Sequence, residues 1–190
     1  QSSSAASDVY KRQHLHTVDP GDWPRFRELD VSANFTPWWS GVEYPDPLGA
    51  GLEQARHSAQ FRAQAIADAG GNVTFSSDTW TLSRLSPFLG MQVGHTRQYP
   101  REWLAPEQDP DAILEPASEM MSIDLLIRGY TLNGAYQLRM EDRIGSIESG
   151  KAADLVVLGE NLFETDRYAL HKVMPDAVVM EGVLMSGGFE

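Results

Sequence analysis

Through the first half of the chain, short apolar runs alternate with stretches of helical spacing. Residues 14–18 (HLHTV) predict a first strand, closed by the turn formers Asp19-Pro20. Asp22 can cap a helix that runs to about Leu29, with Pro24 tolerated in its first turn. Residues 31–36 (VSANFT) predict a strand, stopped by Pro37. Residues 52–69 predict a helix: small or apolar side chains recur at Ala55, Ala59, Ala63 and Ile66, and Gly70-Gly71 ends it. Residues 72–76 predict the next strand. This order of elements argues for parallel βα units and an α/β fold.

Residues 87–97 predict a short helix, and residues 100–116, rich in proline and acid, a surface loop. Residues 118–137 predict helix with an interruption near Gly129; Glu119 suits its N-terminus. Residues 155–158 (LVVL) form a pure β run in which Val156 and Val157 suit a buried strand. A second β stretch, residues 176–185, folds about a tight turn at Glu181-Gly182. There is no repeat of fixed period and no coiled-coil heptad.

Composition narrows the function classes. Of 190 residues, 42% are apolar and 22% charged, ordinary for a globular protein with one core. No apolar run approaches a membrane span. A net charge of −12 repels phosphate backbones, which argues against nucleic acid as a partner. With no cysteine, disulfides and thiolate metal sites are excluded, and any metal must use His, Asp, Glu or water.

Two segments need separate treatment. Residues 145–151 (GSIESGK) have the spacing of a phosphate-binding loop, but Ala152 stands where Ser or Thr would hold magnesium, and a strand follows where a helix is needed. Nucleotide binding is therefore rejected. Residues 2–13 (SSSAASDVYKRQ) are small and polar, then abruptly basic, and resemble a translated sequencing-adapter scar. Residues 1–13 are accordingly expected to lie outside the fold, as a non-native or disordered segment. The native N-terminus is then missing, and a cytoplasmic location is only the default reading.

Parallel βα architecture gathers chemistry at the C-terminal ends of the strands. His14 lies in the first predicted strand, Trp38 and Trp39 follow the second, and Asp78 follows the third, so element order alone places them on one rim. Asp78 also suits a helix N-cap. His16 is a weaker candidate, because strand alternation points it away from His14. His57, His95 and His171 fall on predicted helices or loops and are read as non-functional. Asn34 and Asn72 begin glycosylation sequons, discounted because both sit in predicted buried strands.

The run GSIESGKAADLVVL resembles the closing segment of the metal-dependent amidohydrolases, "GSI-x-x-GK-x-ADLVVL". HLHTVDPGDWPRF is similar to "EH-x-Q-x-VDP-x-D-x-x-RF" of the YtcJ-like branch, with His16 at the usual Gln position. VTFSSDTW resembles the last barrel strand, "V-x-x-GSD-W", with Ser76 in place of the usual Gly, and SPFLGMQVGHTRQ the "P-LLG-x-x-AVTR" segment after it. The resemblance implies the C-terminal part of a (β/α)8 TIM barrel plus part of a small β-sandwich. Residues 14–143 would hold the last βα units and residues 144–190 the closing β segment. It implies a divalent metal, zinc by preference, as one or two ions. It places metal ligands at His14 and Asp78, with Asp78 also handling the proton of the attacking water. Trp38, Trp39 and Trp80 become candidates for a substrate pocket, and Lys151 and Asp154 tie turn to strand.

The implied reaction is hydrolysis of a C–N bond other than a peptide bond, in an amide, formamide-like or cyclic substrate. Isomerase or deaminase chemistry on the same scaffold, or a non-catalytic fragment, are the alternatives. The partner is a small molecule, with neither nucleic acid nor membrane involved, and oligomer formation is left open. Paired histidines expected on an earlier strand are absent, so the chain alone is expected to be inactive.

Overall fold

The computed structural model describes residues 11–41, 59–78 and 86–188. Three strands, β1 (Lys11–Gln13), β2 (Ser32–Phe35) and β3 (Val73–Phe75), pair side by side and parallel. In register, Gln13 faces Asn34 and Asn34 faces Thr74. A separate antiparallel sheet joins β4 (Leu155–Leu158), β5 (Pro175–Met180) and β6 (Val183–Gly187).

The first strand lies upstream of its expected position. His14 takes a left-handed backbone (φ 53°), so HLHTV does not continue the strand, and the paired residues are Lys11–Gln13. Those three residues belong to the segment expected to stand outside the fold, so that boundary is corrected; residues 1–10 lie outside the described residues. The helix expected over 52–69 is α2, Ala63–Asp68. It cannot start earlier within the described residues, because Phe61 is left-handed (φ 54°) and Gln60 bridges Thr17. Residues 52–58 lie outside the described residues.

The remaining helices are α1 (Trp23–Glu28), α3 (Pro87–Thr96), α4 (Ile123–Tyr130) and α5 (Leu132–Gln137). Helix α4 starts at Ile123, five residues past the expected start, and is capped by Ser122, whose hydroxyl accepts the Leu125 N–H (3.1 Å). Glu119 serves elsewhere: buried, its carboxylate accepts from Ala65 N–H in the first turn of α2 (3.3 Å) and pairs with Arg62 (3.4 Å). The break between α4 and α5 falls at Thr131, not Gly129. Gly129 is buried where a Cβ would stand 2.2 Å from the Phe75 ring.

Strand β2 is buried on both faces. Ala33 and Phe35 join Phe26, Ile66, Val73 and Leu126 in the apolar core under the helices. Ser32, Asn34 and Thr36 are buried on the opposite face, which is polar. Asn34 donates to Thr74 Oγ1 (2.9 Å) and accepts from Ser76 Oγ (2.9 Å). Asn72 donates to Ser32 Oγ (2.8 Å), so both sequon asparagines are spent on internal contacts. On the side of β3 away from β2, Asn133 of α5 donates to the Val73 carbonyl (2.9 Å).

Three helices end in the same hydrogen-bond pattern. Gly71 N–H reaches Ile66 O and Gly70 N–H reaches Ala67 O after α2. Val31 and Asp30 repeat this after α1, and Met140 and Arg139 after α5, with Asp30 and Arg139 left-handed where glycine is usual. Asp30 then accepts from Tyr136 Oη (2.5 Å) and Arg139 (3.1 Å), which hold its carboxyl below the usual range.

The C-terminal turns follow the expected chemistry. Lys151 Nζ closes the GSIESGK turn on Ser146 Oγ (2.6 Å) and Glu148 (3.1 Å). Asp154 accepts the Glu181 N–H (2.8 Å), tying the start of β4 to the hairpin tip. Glu181 (φ 51°) and Gly182 (φ 80°) are both left-handed, as a two-residue hairpin turn requires. Val156 is exposed, as are Met180, Val183, Leu184 and Met185. Among the described residues no helix is long and apolar enough to cross a membrane.

Arg97 ends α3 and is fully buried. Its guanidinium donates to the carbonyls of Leu114, Phe61 (3.3 Å) and Gln60 (3.4 Å), joining three segments. Burial lowers its pKa to about 10, so it stays charged at any working pH. Arg97→Met strands those carbonyls, and urea denaturation is expected to show a loss of about 3 kcal/mol.

His171 binds the C-terminal region to α3. Its Nδ1 and its backbone N–H both meet Gln92 Oε1 (2.5 and 3.1 Å), and its Nε2 meets Glu102 (2.7 Å). Glu102 is held below the usual carboxylate range by its own backbone N–H and by His171. A carboxyl depressed in the folded state stabilises above its unfolded pKa and loses that contribution as pH falls. Glu102→Gln is therefore expected to lower Tm on the neutral side of a Tm-against-pH profile and to converge with the parent as pH falls below about 4.5, where the parent has lost the same contribution.

Candidate functional site

The parallel register sets the C-terminal ends of β1, β2 and β3 side by side. His14 follows β1, Thr36 and Pro37 follow β2, and Ser77 and Asp78 follow β3. His14 and Asp78 both leave their strands through left-handed backbone (φ 53° and 43°), a conformation uncommon for residues with a Cβ. The turn brings their side chains together: His14 Nε2 lies 3.5 Å from Asp78 Oδ1. That is longer than an ordinary N–H···O hydrogen bond. The side chains are 35% and 47% exposed, so the pair faces solvent at the rim.

The surroundings orient both groups. His14 Nδ1 lies 3.3 Å from Thr36 Oγ1. The His14 ring packs against Trp39, centroids 4.9 Å apart. Trp38 is buried, and its indole N–H donates to the Ser77 carbonyl (2.6 Å), pinning the backbone that carries Asp78. The two indoles meet edge to face at 6.0 Å. Trp38 thus acts within the frame, whereas Trp39 touches His14. Trp80 and His57 lie outside the described residues.

The other histidines are accounted for. His16 packs between Trp39 (5.7 Å) and Phe61 (4.8 Å), so both it and His14 meet the same indole. The alternation expected to separate them fails because this segment is not a strand. His95 Nδ1 meets the Met121 carbonyl (2.7 Å), holding α3 to the start of α4. Among the described residues no group of three or more His, Asp or Glu gathers as a metal cluster. The His14–Asp78 pair nevertheless fits two positions of a tetrahedral shell, whose ligand atoms stand about 3.4 Å apart at usual bond lengths. Thr36 was not singled out in the sequence; its only signal is its place before Pro37 at a strand end.

The amidohydrolase family model matches residues 5–185. The chain belongs to the amidohydrolase family. An N-substituted formamide deformylase of Arthrobacter pascens is 26% identical over 95% of this amidohydrolase chain and 31% of its own length. An amidohydrolase structure from Thermotoga maritima superposes with a TM-score of 0.58 at 18% identity, over 94% of this chain and 37% of that one. An adenosine deaminase from Xanthomonas campestris with bound zinc gives 0.57 at 21%, over 93% and 37%. The chain thus spans about a third of the length of these proteins.

The Trp38 contact can be isolated. Trp38→Phe keeps an aromatic ring and removes the N–H that holds Ser77. Urea denaturation is expected to show a loss of about 1–2 kcal/mol, and a variant as stable as the parent would mean that this contact holds nothing.

Proposed function

We propose that this chain supplies the last βα units of a (β/α)8 barrel and part of a β-sandwich to a metal-dependent hydrolase of C–N bonds other than peptide bonds. The observation that carries the reading is the His14–Asp78 pair, 3.5 Å apart at one rim of parallel strands. Its separation and its donor set, an imidazole nitrogen and a carboxylate oxygen, suit a divalent cation such as zinc. The zinc in the deaminase neighbour supports the choice of metal.

A bound divalent cation would lower the pKa of its water to about 7 and polarise a carbonyl. His14 contributes its Nε2 lone pair, held at the rim by its left-handed backbone and the Trp39 indole. Asp78 accepts the proton of the attacking water and returns it to the leaving nitrogen, so that C–N cleavage releases a neutral amine. Trp38 keeps Asp78 in place through Ser77, and Trp39 offers an aromatic wall beside the reacting groups.

The deformylase relative favours a formamide-like substrate. Deaminase chemistry, suggested by the zinc-bound neighbour, is the second reading. The 190-residue chain is proposed to be inactive alone, since its described residues bring together only two donors.

The test uses the longest natural protein that contains this chain, loaded with zinc, against a panel of N-substituted formamides, cyclic amides and aminopurines. Turnover of formamides is expected. Asp78→Asn is expected to lower kcat/KM by at least about 100-fold. Unchanged rates in that variant, or turnover of aminopurines alone, would refute the reading.

A further inference from the structure

The described partners of the two His14 ring nitrogens differ in kind. Nε2 faces the Asp78 carboxylate at 3.5 Å, which only accepts when ionised. Nδ1 faces the Thr36 hydroxyl at 3.3 Å, which can donate or accept. Thr36 is 1% exposed, so water does not readily replace it. Pro37 restricts its backbone, which is extended (φ −113°, ψ 92°), and its branched side chain limits χ1. The hydroxyl is therefore held in place while its proton remains free to rotate.

A neutral imidazole carries one N–H and one lone pair. Without a cation, the proton is best placed on Nε2, where it points at Asp78, and the Thr36 hydroxyl donates to Nδ1. To offer the Nε2 lone pair to a cation, the ring must carry its proton on Nδ1, and the same hydroxyl must turn to accept it. We propose that Thr36 is a positioning residue that supports both tautomers of His14, letting the ring change from facing the Asp78 carboxylate with its Nε2–H to offering the Nε2 lone pair to a cation. This rests on the metal reading above. An apolar group at position 36 would leave a poorly solvated N–H in the ligating form, and loss of such a partner costs about 10–100-fold in metal affinity.

The experiment uses the longest natural protein that contains this chain, labelled with 15N-histidine, followed by long-range 1H–15N spectra with and without added zinc ion, and by competition against a chromogenic chelator. In the parent chain the His14 proton is expected on Nε2 without zinc and on Nδ1 with it. Thr36→Val is expected to shift the Nδ1 resonance of the zinc-free chain and weaken zinc about tenfold, while Thr36→Ser restores both. A valine variant that matches the parent in both readouts overturns the proposal. Parent His14 resonances that ignore zinc in a folded chain overturn the metal reading and the switch with it. A valine-induced Nδ1 shift in the zinc-free chain would then stand as a hydrogen bond alone, which separates the two failures.

Discussion

Asn34 locks the arrangement on which the candidate site depends. Its amide gives to Thr74 and takes from Ser76 inside a buried polar face, so a slip of one residue between β2 and β3 would strand three polar groups. That register, extended to β1 by backbone pairing, sets three strand ends level. His14 and Asp78, far apart in sequence, then come out on one rim.

The two faces of the parallel sheet do different work. The helix-facing side chains, Ala33, Phe35 and Val73, supply burial of apolar area. The other face carries hydroxyls and amides that satisfy one another and lead up to Thr36 and His14. A polar buried face is tolerated only when its members are paired, and it specifies geometry more sharply than an apolar layer. Asn133 extends this logic to the other side of β3 by giving its amide to the Val73 carbonyl.

Left-handed residues make the sharp turns of the chain. At Gly70 and Gly182 the residue type announces them. At Asp30 and Arg139 it does not: these residues sit at helix ends, where the closing hydrogen bonds and the Asp30–Tyr136–Arg139 contacts offset the unfavourable backbone. At His14 and Asp78 the unusual backbone aims side chains at each other.

Much was legible in order and type. Residue spacing carried the alternation of strands and helices, the Gly70-Gly71 stop, the β4 run and the Glu181-Gly182 hairpin, because each follows from local side-chain periodicity or from glycine's freedom. The motifs around His14, Asp78 and residues 145–158 were enough to suggest the amidohydrolase family. Boundaries were less legible. HLHTV has the composition of a strand, yet His14 leaves the sheet, and the helix read from residue 52 begins, within the described residues, only at Ala63. Glu119 suits the N-terminus of its own helix and instead accepts an N–H from the first turn of α2.

The sequence by itself determined the class of fold and the family, since these depend on local pattern and motif. Only the tertiary structure decided that His14 Nε2 meets Asp78, that Thr36 stands behind the ring and that Trp38 pins the backbone of Ser77. Those contacts join separate strand ends, and their distances depend on strand register and on left-handed backbone at His14 and Asp78, neither of which is written in residue spacing.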